Sequence, residues 1–187
     1  MTLYVYVDNS NLWIEGMRVS AVRKGMAANA VDAMNRKITD GSWSYDFGKL
    51  YEAICPDTAK IGRSALFGSR PPANDSIWEL ARQEGFDVTV YDRNAANKEK
   101  QVDTAINTMI LEDSYEHMKN GDRVVLVSGD RDYLPAIKSL HRRGIPTTVV
   151  FWEHATGREL KEEPVDYMAL DSLFDHLTMT RHHTEDE

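Results

Sequence analysis

The stretch Arg123-Val-Val-Leu-Val-Ser-Gly-Asp-Arg-Asp132 decides how this chain is read. Its first half is an apolar, β-branched run, the pattern of a strand buried on both faces of a parallel sheet. Its second half is a turn carrying two carboxylates, Asp130 and Asp132, with Gly129 allowing a close backbone approach. The N-terminus repeats the plan, since Leu3-Tyr-Val-Tyr-Val7 runs straight into Asp8. Ligands of open α/β sheets bind outside the carboxyl ends of the strands, so acids placed there can converge on one point.

Outward from these two segments, strand and helix patterns alternate. Strands are expected at 3–7, 60–67, 86–91, 124–127 and 145–151, with 165–170 as an extra short one. Helical spacing follows Asn9-Ser-Asn11, and recurs at 46–54, 76–84, 101–118, 133–143 and 172–177. Such alternation means an α/β domain with a parallel sheet. Gly68-Ser-Arg-Pro-Pro-Ala-Asn-Asp75 is the strongest loop signal, and 93–100 reads as a polar loop. Residues 20–44 lack clear periodicity and are expected to form an irregular, partly helical insertion in a single domain over 1–178. A polar acidic tail, 179–187, closes the sequence.

Bulk properties narrow the function. The chain has 187 residues, 42% hydrophobic and 28% charged, which suits one well-cored domain and excludes wholesale disorder. No apolar run reaches the roughly 18 residues of a membrane span, and the first residues lack a basic signal-peptide region. A single cysteine, Cys55, fits a reducing cytoplasm and reads as a bystander thiol. A net charge of −8 disfavours a protein that coats phosphate backbone without specificity. The histidines show no zinc-like spacing with Cys55 or each other.

A third acid, Asp103, opens the long helix expected at 101–118, with Lys100 three residues before it and Asn107 one turn beyond. Each carboxylate has a plain explanation on its own: acids at strand–helix junctions cap free N–H groups and complement the helix dipole. As a set they say more. Several carboxylates brought together repel unless a hard cation holds them, and Mg²⁺ and Mn²⁺ prefer such oxygen ligands. Asn11 is placed to hydrogen-bond Asp8 or a phosphate. Arg70, Arg93, Lys98, Lys100 and Arg131 lie in expected loops beside the site, which suits single-stranded nucleic acid, and Trp13, Tyr91 and Tyr133 are candidates to stack bases. A phosphatase using Asp-x-Asp after the first strand is disfavoured, because Ser10 stands where the second acid belongs.

The ordered motifs Asp8-x-x-Asn11, Lys100-x-x-Asp103 and Ser128-Gly-Asp-Arg-Asp-Tyr133 with Pro135 resemble the NYN-domain family. It is a branch of the PIN-like nucleases that includes bacterial proteins of the LabA type. The likeness spans nearly the whole chain except 20–44 and the tail. It implies an open α/β/α sandwich with strand order 3-2-1-4-5 and an acidic pocket for Mg²⁺ or Mn²⁺ acting on RNA. Carried over, Asp8, Asp103 and Asp130 are the metal-holding acids and Asp132 a fourth catalytic carboxylate. Asn11, Lys100, Ser128 and Arg131 become substrate-binding residues. One departure stands out: Met109 occupies a place where many relatives carry another carboxylate, with Glu112 and Asp113 further along. The expected function is a metal-dependent ribonuclease. The alternative is a non-catalytic regulatory or nucleotide-binding module that keeps the pocket, with a second copy or a regulatory protein as partner.

Overall fold

In the computed structural model, the described residues are 1–56, 59–69, 76–91, 98–162 and 164–179, with the backbone alone for 98–101. The strands are β1 (Thr2–Asp8), β2 (Lys60–Ser69), β3 (Asp87–Tyr91), β4 (Arg123–Val127), β5 (Thr147–Phe151) and β6 (Asp166–Ala169). The α-helices are α1 (Asn9–Arg23), α2 (Ala30–Asn35), α3 (Phe47–Ile54), α4 (Ser76–Gln83), α5 (Lys98–Glu116), α6 (Leu134–Arg142) and α7 (Phe174–Leu177). All strand pairs are parallel, in the order β3-β2-β1-β4-β5-β6. The extra short strand is therefore real, and β6 extends the sheet beyond β5.

The strand period of two sorts the core into layers. Leu3, Val5 and Val7 of β1 face a cluster with Leu12 of α1, Leu50 of α3, Trp78 of α4 and Phe174 of α7. Tyr4 and Tyr6 face the opposite cluster, with Val102, Ile106 and Ile110 of α5 and Ile137 and Leu140 of α6. β4 divides likewise, Val125 and Val127 one way and Val124 and Leu126 the other. Cys55 lies in the first layer, and burial pushes its thiol up to about 11, the state of an inert side chain. Among the described residues no helix is long and apolar enough to cross a membrane.

The element ends differ from expectation in instructive places. α5 starts at Lys98 and not at Gln101, because apolar periodicity marks a helix only where its buried face begins, at Val102. Gly68 and Ser69 belong to β2, while 70–75 lie outside the described residues, as do 92–97. The helix expected at 133–143 is split into a 3-10 turn, Arg131–Tyr133, and α6, with Pro135 in its first turn.

Residues 20–44 are better ordered than their scattered apolar pattern suggests. Residues 20–23 complete α1, and α2 is capped by Asn29, whose side chain accepts from Asp32 N at 2.9 Å. Trp43 is buried, stacked on Phe174 at 5.6 Å and edge-on to Trp152 at 5.9 Å. Asp40 anchors the segment: it accepts from Ser20 Oγ (2.6 Å) and Ser42 Oγ (2.6 Å) and pairs with Lys24 Nζ at 2.6 Å. Burial opposes its charge, yet the Lys24, Ser20 and Ser42 bonds outweigh burial and hold its carboxyl well below the usual range. A folded-state value below the unfolded one stabilises the protein fully above the unfolded pKa of about 3.9, and that contribution is lost as pH falls toward the folded value. Asp40→Asn should therefore unfold at lower urea concentration than the parent at pH 7, and the gap should narrow at pH 3. A gap independent of pH would contradict this.

Candidate metal centre

β1 and β4 lie side by side with Val7 opposite Val127, so Asp8 and the Ser128–Asp130 turn leave the same edge together. Chain connections diverge there, β2 on one side and β5 on the other, which makes this the switch point where open α/β sheets bind ligands. α5 packs near β1, β2 and the Arg131–Tyr133 turn, and the Tyr133 hydroxyl reaches Asp103 at 3.0 Å, which brings that acid to the same place.

The result is a trio. Carboxylate oxygens of Asp103, Asp130 and Asp132 all lie within 4.8 Å of one another. Mg²⁺ takes oxygen ligands at roughly 2.1 Å, so three carboxylates this close together are the kind of group that would hold one such ion. Neither Asp130 nor Asp132 has an ion pair among the described residues. An all-oxygen, all-anionic donor set of this kind fits a hard divalent cation.

Local chemistry explains the turn. Asp130 caps the 3-10 turn by accepting from Asp132 N at 2.9 Å, and its own N–H donates to Ser128 Oγ at 3.4 Å. Ser128 is fully buried, and its hydroxyl meets the backbone of the turn. Gly129 is required by close approach: a Cβ there would stand 2.2 Å from the Ala155 carbonyl oxygen, and the Gly129 carbonyl accepts from Gly157 N at 3.1 Å.

Asp8 is 5% exposed and caps α1, accepting from Asn11 N at 3.1 Å, while the three carboxylates within 4.8 Å are those of Asp103, Asp130 and Asp132. Its charge still reaches the site. The buried Tyr133 hydroxyl donates to Asp103 Oδ1 at 3.0 Å. Burial, followed by the charges of Asp8, Asp103 and Asp130, pushes the Tyr133 pKa far above its ordinary value. Tyr133 thus remains a donor that fixes Asp103, and its burial removes it as a base-stacking platform. Tyr45 is raised in the same way, by burial first and then by Asp8, and its hydroxyl donates to Asn9 Oδ1.

The basic candidates fall unevenly. Arg131 is exposed and reaches Glu159 at 3.5 Å. Lys100 stands in the first turn of α5, its side chain outside the described atoms, and Arg70 and Arg93 lie outside the described residues. Trp13 and Tyr91 are half-buried and pack on the two cores. On α5, Met109 packs against the core, and Asp113 is locked by Tyr6 and Arg63.

Two polar residues near the site escaped the sequence reading. Glu15 is buried on α1 and meets His154 Nε2 at 2.8 Å, and together with Asn11 and Asp130 they line a cleft of about 400 Å³. Glu15 follows Asn11 by one helical turn, a spacing that puts both on one face. His154 follows β5 at the same sheet edge. Those two positional signals were available, although the pairing was not.

The family model of the NYN domain matches residues 3–171. A crystal structure of a protein of unknown function from Vibrio parahaemolyticus superimposes with a TM-score of 0.64 at 14% identity, covering 95% of this chain and 96% of that one. At that identity the likeness is one of fold. No curated protein matches the chain.

Proposed function

Because the chain belongs to the NYN domain family, whose fold is nuclease-like, we propose that it is a metal-dependent ribonuclease hydrolysing phosphodiester bonds of single-stranded RNA. The observation that carries the reading is the convergence of Asp103, Asp130 and Asp132 within 4.8 Å at the switch point of the sheet. These three residues would hold Mg²⁺ or Mn²⁺. When bound, such an ion makes a nucleophile of water near neutral pH and offsets charge developing at phosphorus.

The chain's own residues do the rest. Tyr133 holds the Asp103 carboxylate in one orientation through its 3.0 Å hydrogen bond. Ser128 and the cap to Asp132 N hold Asp130. Asp8 adds negative charge beside the trio, which favours a cation over water in the pocket and keeps Asp8 in the proposed catalytic set. Arg131 is exposed beside the acids and is the described cation best placed for a phosphate, with Asn11 and Lys100 as further contacts. A cytoplasmic setting belongs to the same reading, resting on the lone cysteine.

One observation favours a second reading, a binding module without turnover. Among the described residues no other carboxylate joins the trio, and on α5 the place where many relatives carry a further acid is Met109, packed on the core. A single assay separates the two. End-labelled single-stranded RNA incubated with the protein and Mn²⁺ should be cut, and EDTA should stop the cutting. RNA left intact with every divalent ion tried would leave the binding module as the reading.

A further inference from the structure

A cleft lined by residues of α1, α2 and the 154–157 loop adjoins the trio at Asp130, which belongs to both. We infer that it is a nucleoside subsite, taking the base and ribose of the nucleotide whose phosphate lies over the acidic trio. The inference rests on the ribonuclease reading and deepens it.

Three observations carry it. The cleft shares Asp130 with the trio, so a ligand held at the acids has a neighbouring space to fill. At about 400 Å³ it lies within the range of small-ligand sites, about 300–1,000 Å³. Its lining mixes one apolar flank with polar groups. Met34 of α2 is 47% exposed where it meets the cleft, and a thioether packs favourably on an aromatic ring.

The polar groups point the same way. Glu15 is engaged twice, by Arg18 and by His154 Nε2 at 2.8 Å, so it fixes the imidazole ring. The ring's other nitrogen has no hydrogen bond among the described residues and remains for a ligand. Asn11 adds an amide, which offers both a donor and an acceptor to a base edge or a ribose hydroxyl. Charge decides which part of the nucleotide enters. Arg131 lines the cleft next to Asp130, so the phosphate belongs at that end, over the trio, and the neutral base and ribose extend toward Asn11, Met34 and His154. The anionic part stays with the trio and Arg131. This assigns the 20–44 segment a role in substrate selection, through Met34.

The test uses the whole chain with Mg²⁺, titrated in parallel with adenosine 5′-monophosphate and inorganic phosphate. Binding is followed by calorimetry and by the methyl resonances of ¹³C-labelled methionine. The nucleotide should bind about tenfold tighter than phosphate, the free energy of one ring contact plus one hydrogen bond. It should shift the Met34 methyl signal, which phosphate should leave in place. Met34→Ala and His154→Gln should each remove most of the preference without changing phosphate binding. Equal binding of the two ligands, a silent Met34 methyl, or a preference that survives both substitutions would overturn the subsite. RNA left uncut while the nucleotide preference persists would overturn the ribonuclease reading and leave the subsite standing.

Discussion

Asp130→Asn should lower Mn²⁺-dependent RNA cleavage by about 10²–10³-fold while the protein stays folded. The reason for choosing this residue is that it has two jobs. It caps the Arg131–Tyr133 turn, and it is one of three carboxylates within 4.8 Å. An asparagine oxygen caps about as well as an aspartate oxygen, so the turn should survive. What is removed is one negative charge. If capping were the whole role of Asp130, activity and stability would both be nearly unchanged.

Stability measurements sharpen the contrast. Without metal, the trio is a set of like charges, and neutralising one should raise the melting temperature slightly. With Mn²⁺, the parent should gain stability as RT ln(1 + [Mn²⁺]/Kd), and the variant should gain much less. The order of the two melting temperatures should therefore invert between EDTA and Mn²⁺. An unchanged order would mean that the acids do not act together.

The second large effect is structural. Asp113→Ala should cost about 3–5 kcal/mol of stability, read from urea unfolding, without altering Mn²⁺ affinity. Asp113 is 3% exposed and accepts from the Tyr6 hydroxyl at 2.6 Å and from Arg63 at 2.5 and 2.9 Å. Its loss strands a fully buried hydroxyl and leaves a partly buried guanidinium without its counter-charge. Ten residues of helix separate Asp113 from Asp103, roughly 15 Å, so the substitution should not reach the trio. A small stability change together with a large loss of metal binding would place Asp113 in the site and overturn this assignment.

What was legible in the sequence was local. The apolar runs ending in Asp8 and Asp130 announce buried parallel strands and their shared edge, because strand period and turn chemistry are properties of short windows. The NYN resemblance added the order of the central five strands, and the structure adds β6 at the edge. Asp103 was legible through its place at the start of a core-facing helix.

What was not legible depends on distant partners. Glu15 and His154 stand 139 residues apart, and nothing near either residue announces the other. Trp43 looked like part of an irregular insertion because Trp152 and Phe174, which bury it, come more than a hundred residues later. Tyr133 was visible as an aromatic, but its hydroxyl bond to Asp103 appears only once α5 and the turn after β4 meet. The separate settings of Asp8 and Asp132 have the same origin. Asp8 turns back to cap α1, and Asp132 is carried forward by a single 3-10 turn.

The central claim is that Asp103, Asp130 and Asp132 form one site for a divalent cation. Calorimetric titration of Mn²⁺ into the parent and into Asp130→Asn tests it most directly. Saturable binding of one Mn²⁺ per chain is expected, displaced by Mg²⁺ and weakened at least about tenfold by the substitution. Absence of saturable binding, or equal binding by both proteins, would contradict it.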